Sequence, residues 1–312
     1  MAFRALFLGT PAFAVPSLDA LVEVATVVGV VCQPDKPQGR GMTLTVPPVK
    51  ARALELGLTV QQPTRLKTGE FAAWVRAQDV DVALVVAYGR ILPQEVLDAP
   101  RLGCVNVHGS LLPKYRGAAP ITWSVVRGER ETGVTLMKMD AGMDTGAMLE
   151  TFTLPILENE TAGELAERMS ALGAEAVRRG LPRYVAGGYA PIAQDDRLAT
   201  LAPMLKKEDG RIDFSLPAQR VHDHARGMSP WPGAHTVHHA KTVKVLATRL
   251  SHATHGPEVV PGQVVLADKT RVLVACGEGT LELLRVQLEG KKPVSGADWF
   301  LGRGVAEGDR LG

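Results

Sequence analysis

Residues 103–117 read GCVNVHGSLLPKYRG, and the rest of the chain is organised around this stretch. Val105 and Val107 alternate with Asn106 and His108, which is the period of a β-strand, so the amide and the imidazole share one face. Gly109 and Ser110 stop the strand. The pair therefore sits at a strand's carboxyl end, where open α/β sheets hold their ligands. A loop with Pro113, Lys114, Arg116 and Gly117 follows. Ala118, Ala119 and Pro120 then open a helical run to Arg127, with the proline in the first turn where its missing N–H is harmless.

Upstream, residues 3–8 form a short apolar run ending in Gly9-Thr10-Pro11, residues 24–32 a second, and residues 13–22 between them have helical spacing, a βαβ opening. Residues 80–87, VDVALVVA, are an apolar strand of the buried parallel kind ending in Tyr88-Gly89. Downstream, residues 133–139 read as another strand, DAGMDTG at 140–146 as a polar turn, and residues 161–179 as an amphipathic helix with Leu165, Met169, Leu172 and Val177 on one stripe. The expected first domain is thus a Rossmann-like, mostly parallel α/β sheet over residues 1–189. The turn after its first strand has a single glycine and no GxGxxG, which disfavours a nicotinamide or flavin, and no GxxxxGK[ST] phosphate loop occurs.

Residues 33–50, QPDKPQGRGMTLTVPPVK, interrupt the sheet pattern with four prolines, two glycines and the cations Lys36, Arg40 and Lys50 against one acid, Asp35. Such an inserted loop is long for a compact domain. It reads either as a solvated excursion or as a basic arm for phosphates.

Residues 190–205 lack a sustained period and are expected as a linker. Beyond them, residues 216–226 look helical, and five short strands are expected at 234–238, 242–249, 262–266, 271–275 and 280–288. Five turn-separated strands suit a small β-barrel of the oligonucleotide-binding kind over residues 206–312. The 312 residues carry 46% hydrophobic and 22% charged side chains and a net charge of +2, ordinary for a globular protein. Residues 1–203 hold 20 Lys and Arg against 21 Asp and Glu, and residues 204–312 hold 15 against 12, a mild excess that permits a polyanionic partner on the second domain. Cys32, Cys104 and Cys276 lie far apart with no CxxC, so no disulfide framework or cysteine zinc site is indicated and a reducing cytoplasm is expected. The amino terminus lacks the layout of a signal peptide, and no apolar run reaches about 18 residues. His222/His224 and His235/His238/His239 have neither HExxH nor zinc-finger spacing, so no metal is expected.

An amide donor and an imidazole at a strand end, with a carboxylate in reach, suit a reaction that passes through an oxyanion. Asn106 can donate to the developing O⁻, His108 can donate or shuttle a proton, and Asp144 can orient or charge the imidazole. Ser110 has no GxSxG elbow and Cys104 no electropositive surroundings, so hydrolase readings fit less well. The same pattern also suits an ordinary core strand with a satisfied histidine.

NVHGSLLPKYRGAAPI at 106–121 together with DAGMDTG resembles the folate-dependent formyltransferases. With GTPAFA at 9–14, QPDKPQGRG at 33–41, VVAYGRILP at 85–93, Trp231-Pro232 and Gly290-Lys291-Lys292, the entire chain is similar to the methionyl-tRNA branch of that superfamily. The resemblance implies transfer of formyl from 10-formyltetrahydrofolate, a co-substrate and not a tightly bound cofactor, to the α-amino group of methionyl initiator tRNA in the cytoplasm. It implies catalytic roles for Asn106, His108 and Asp144, and a folate site at Tyr88, Gly89, Ser110, Leu111, Leu112 and Pro113. Lys36, Arg40, Lys206 and Lys207 are the implied tRNA contacts, with no membrane and no metal involved. The alternatives are formylation of an amino-sugar nucleotide, and a folate-binding nucleic-acid-binding protein without catalysis.

Overall fold

The computed structural model describes residues 3–38 and 43–312. The chain divides into two compact units: residues 1–120, 131–154 and 166–202 form one, and residues 121–130, 155–165 and 203–312 the other. In chain order the elements up to residue 202 are β1 (Arg4–Gly9), α1 (Val15–Val24), β2 (Thr26–Val31), β3 (Lys36–Gln38), β4 (Thr43–Thr45), α2 (Pro48–Glu55), β5 (Val60–Gln61), α3 (Glu70–Ala77), β6 (Val82–Val86), α4 (Gln94–Leu97), β7 (Cys104–His108), β8 (Arg116–Gly117), α5 (Pro120–Val126), β9 (Glu131–Lys138), β10 (Met148–Pro155), α6 (Ala162–Val185) and β11 (Leu201–Ala202).

Seven strands form the main sheet in the order β10-β9-β7-β6-β1-β2-β5. The pairs from β5 through β7 are parallel, and β9 is antiparallel to β7. From β1 the chain first builds outward through β2 and β5, then returns to build the other side through β6 and β7. That reversal makes a crevice at the carboxyl ends of β1 and β6. Every residue of β6 is buried, as expected for a strand covered on both faces. On one face Leu6, Leu8, Ala83, Val85 and Cys104 pack with Phe71, Ala72 and Val75 of α3 and with Val96 and Leu97 of α4. On the other, Gly173 and Gly180 let α6 lie close: a Cβ on Gly173 would stand 3.3 Å from Val107, and one on Gly180 only 2.2 Å from Leu136.

The stretch expected as a loop at 33–50 is partly ordered ladder. β3 and β4 pair antiparallel, with Lys36 opposite Thr45 and Pro37 opposite Leu44, and α2 begins at Pro48. The alternating Thr-Leu-Thr supplies the extended strand, and Pro48 at the first helical turn supplies the start. Arg40 lies outside the described residues. Within 190–205, β11 pairs parallel with β8, Leu201 opposite Arg116 and Ala202 opposite Gly117. Gly117 has φ of +124°, and a Cβ there would meet the Ala202 carbonyl at 2.6 Å, so this contact requires glycine.

The second unit contains α7 (Ala218–Gly227), β12 (His235–His238), β13 (Lys241–Ser251), β14 (Val264–Ala267), β15 (Val272–Ala275), β16 (Thr280–Leu288), β17 (Val294–Ser295) and α8 (Gly296–Leu301). Its strands run β12-β13-β16-β15-β14, every neighbouring pair antiparallel, with β17 added on β16. Bulges between Val245 and Thr248 and between Val264 and Leu266 bend the ladder into a curled half-barrel. Its inner face packs Val243, Val245, Val274 and Val286 against Val221 of α7 and Trp299 of α8. Among the described residues no helix is long and apolar enough to cross a membrane.

Candidate active site

β7 carries Asn106 and His108 between a parallel neighbour, where Val85 is opposite Asn106, and an antiparallel one, where Thr135 is opposite His108. Alternation puts both polar side chains on the face of Cys104. Asn106 is half-buried, and among the described residues its amide makes no hydrogen bond within the protein. His108 is 5% exposed. Its Nε2 lies 3.0 Å from the carbonyl of Tyr115. A carbonyl only accepts, so Nε2 carries the proton and donates. The other nitrogen, Nδ1, faces Asp144 Oδ1 at 3.6 Å, an ion-pair distance too long for a hydrogen bond.

The loop after β7 is fixed from within. Ser110 Oγ donates to the Lys114 carbonyl at 2.6 Å, and Thr135 Oγ1 donates to the Ser110 carbonyl at 2.7 Å while accepting from the Leu112 N–H at 3.1 Å. Tyr115 takes φ of +62° and donates its N–H to Thr200 Oγ1 at 2.9 Å. This aims the Tyr115 carbonyl at His108.

Asp144 is also held at φ of +55°. Its Oδ2 accepts from the Gly117 N–H at 2.8 Å. The turn before it closes on Asp140, whose Oδ1 accepts from the Gly142 N–H at 3.0 Å and from Thr145 Oγ1 at 2.7 Å. Non-glycine residues with positive φ are uncommon, and three of them, Ala87, Tyr115 and Asp144, occupy the loops after β6, β7 and β9.

A cavity of about 140 Å³ opens beside this carboxylate, lined by Arg90–Leu92, Met137, Met139 and 140–144. Ile91, Leu92 and three methionines, Met137, Met139 and Met143, make an apolar wall, and methionine adapts to irregular surfaces. The wall ends on Asp144. The structure therefore brings His108 and Asp144 together with the Asn106 amide on the same face, beside a cavity with one apolar wall and the charged side chains Arg90, Asp140 and Asp144. Such a constellation can hold an oxyanion and accept a proton from an attacking nitrogen.

The residues expected for folate are placed differently from one another. Tyr88 is buried, and its carbonyl accepts from Thr10 Oγ1 at 3.1 Å and from Gln33 Nε2 at 2.9 Å, which ties the ends of β1, β2 and β6 together. Burial, opposed by the nearby Arg90, raises the Tyr88 phenol above its usual range. Gly89 takes φ of +76° against Gln33. Ser110 and Leu112 are buried, Leu111 lies beside Gly133, and the Pro113 carbonyl accepts from the Thr200 N–H at 3.4 Å. None of these six lines the cavity next to Asp144. Arg90 belongs to the 87–90 corner that the sequence places beside the Asn106 strand, whereas nothing in the sequence singles out Ile91, Leu92, Met137 and Met139 beyond two methionines alternating into a polar turn.

Of the basic residues, Lys36 is exposed and donates to Gln33 Oε1 at 2.8 Å, and Lys206 and Lys207 are exposed in the second unit. Lys50 is committed to Asp35 at 2.8 Å. Hydrogen bonds from Lys50 and Gln62 hold the Asp35 carboxyl below its ordinary range. Burial pushes the Cys104 thiol up to about 12, which removes it as a nucleophile. His238, His239 and Asp309 offer three donor atoms within 4.8 Å of one another, but His238 Nε2 is already engaged by Asp309 Oδ2 at 3.0 Å.

Residues 3–181 match the formyl transferase family, and residues 204–304 match the formyl transferase C-terminal domain. Over 309 residues the chain is 55% identical to the methionyl-tRNA formyltransferase of Sorangium cellulosum, covering 99% of each. Among solved structures it resembles an N-formyltransferase of Helicobacter canadensis in complex with folinic acid and dTDP-3-aminofucose, at a TM-score of 0.67 and 18% identity, covering 91% of this chain and 99% of that one. It also resembles HypX of Aquifex aeolicus in complex with tetrahydrofolic acid, at a TM-score of 0.62 and 18% identity, covering 97% of this chain and 47% of that one. Two solved structures this remote attest the fold, while identity along nearly the full length attests descent, and the chain belongs to the formyl transferase family.

Proposed function

We propose that this protein is a cytoplasmic enzyme that transfers the formyl group of 10-formyltetrahydrofolate to the α-amino group of methionyl initiator tRNA. The observation that carries the reading is the approach of His108 Nδ1 to Asp144 at 3.6 Å at the edge of a cavity with one apolar wall, in a chain with a methionyl-tRNA formyltransferase relative along its whole length. Folate enters as co-substrate, and its ring system suits the wall of Ile91, Leu92, Met137 and Met139.

The neutral amine attacks the formyl carbon, an N–C bond forms, and the carbonyl π pair moves onto oxygen. Asn106 donates to that oxyanion. With Nε2–H already given to Tyr115, His108 can donate from Nδ1 only as imidazolium, and Asp144 supplies its counter-charge. The proton of the attacking nitrogen passes toward Asp144. Collapse of the tetrahedral intermediate breaks the bond to N10 of the folate, which leaves as the protonated amine, so formyl and proton exchange places. Residues 1–189 would form the catalytic domain, 190–205 the linker and 206–312 the tRNA-binding domain, with Lys36, Arg40, Lys206 and Lys207 on RNA phosphates. Ser110–Pro113 and Tyr88-Gly89 would shape the folate site through their backbone.

Incubation with 10-formyltetrahydrofolate labelled in the formyl carbon tests the reading. Label on methionyl-tRNA is the expected result. Label on an amino-sugar nucleotide, in free formate or in no product would overturn it.

A further inference from the structure

We infer that Gln194 is a positioning residue for Asp144, acting through the backbone of the turn that carries it; this rests on the reading of Asp144 given above. Gln194 Nε2 donates to the carbonyl of Asp144 and to that of Gly146, both at 2.8 Å, and Gln194 Oε1 accepts from Arg116 Nε at 2.9 Å. The orientation of the amide is fixed by its partners. Carbonyls only accept and a guanidinium only donates, so the NH₂ faces the turn and the oxygen faces Arg116.

These bonds close a circuit. From Asp144 it passes through Gln194 to Arg116, along the chain to Gly117, and back from the Gly117 N–H to the Asp144 carboxylate at 2.8 Å. One residue is thereby gripped at both ends, main chain and side chain. A grip of that kind is what a φ of +55° requires, because an aspartate left to itself drifts from the left-handed region. Gln194 itself is anchored on both sides. Ile192 exchanges two backbone hydrogen bonds with Met148, at 2.8 and 2.9 Å, and Asp196 Oδ1 holds Arg116 Nη2 at 2.8 Å.

No other side chain fits the role as well. Asparagine is one methylene short, and an ionised glutamate would turn an acceptor on two carbonyls. Arg116 keeps Asp196 when Gln194 is truncated, so the substitution leaves no buried charge unpaired.

Gln194→Ala should lower kcat for methionyl-tRNA formylation between about 10- and 100-fold, the scale of a catalytic group shifted by about 1 Å, with KM for both substrates near the parent value. Gln194→Glu keeps the bond to Arg116 and loses both donors, so it should show at least the same loss at a melting temperature close to the parent's. In an Asp144→Asn background, single-turnover rates should show no further loss from Gln194→Ala, because the positioned group is already gone. A parent-like kcat in Gln194→Ala and Gln194→Glu with an inactive Asp144→Asn would overturn the inference and leave the reading of Asp144 standing. The same fold-loss in the Asp144→Asn background would also overturn it, as a general structural effect. A fully active Asp144→Asn would overturn both.

Discussion

His108 and His222 are both buried imidazoles, 5% and 2% exposed, yet their surroundings differ. His222 lies in the second unit, with Nδ1 at 2.8 Å from Thr248 Oγ1 and Nε2 at 3.4 Å from the Glu158 carbonyl. Burial lowers its pKa, Arg226 adds to that, and the Glu158 carbonyl and Asp223 oppose it. His224 on the same helix is lowered by burial as well. His108 instead has one nitrogen tied to a carbonyl and the other turned to a carboxylate at the rim of a cavity. Burial alone stores an imidazole as a neutral packing group. A counter-charge and room for a substrate are what make the same ring a proposed catalyst.

Removing the counter-charge makes the first site resemble the second. Asp144→Asn should reduce kcat/KM for formyl transfer by roughly 10²–10⁴ and change the pH profile on its acid side, while folate binding, read by fluorescence quenching, stays close to the parent's. An unchanged profile would return Asp144 to the status of a turn residue.

The basic arm should give a smaller effect. Arg40→Ala is expected to raise KM for methionyl-tRNA and to reduce the slope of log affinity against log salt by about 1, the signature of one lost phosphate contact, with unaltered folate binding. An identical salt slope would make the arm an idle excursion.

The second site predicts a stability effect in place of a rate effect. A histidine whose folded pKa is depressed below about 6.5 stabilises the fold fully above that pH, because neither state is then protonated. Below it the unfolded chain takes up the proton first, so stability falls as pH drops toward the folded pKa. Melting temperatures between pH 7.5 and 5 should therefore decline, and decline less steeply in His222→Gln. A parallel decline in both proteins would show that His222 is not the linked group. Smallest of all is the exposed pair Arg101–Asp81, 2.7 Å apart with the arginine 63% exposed: Arg101→Ala should cost below about 1 kcal/mol by chemical denaturation.

Local patterns in the sequence account for what could be read there. Of the six strands of the second unit, β12–β16 fall within two residues of the five expected positions, because alternating or apolar runs are written into each strand separately, whereas the two-residue β17 is too short to show a pattern. Asn106 and His108 follow from the same alternation. The β3–β4 ladder was obscured by prolines and glycines that usually mark loops. The grip on Asp144 was not legible at all, since Gln194 lies 50 residues from it and 78 from Arg116, and no periodicity links them. Nor could spacing show that the side chains of Tyr88, Ser110 and Leu112 are buried while Met137 and Met139 line the cavity.

Single-turnover formyl transfer to methionyl-tRNA in His108→Ala and His222→Ala, run side by side on folded protein, is the most direct measurement. The expected result is a loss of roughly 10²–10⁴ for His108→Ala and a near-parent rate for His222→Ala, whose deficit appears in stability alone. Parent-like transfer by His108→Ala, or equal losses in the two variants, would contradict it.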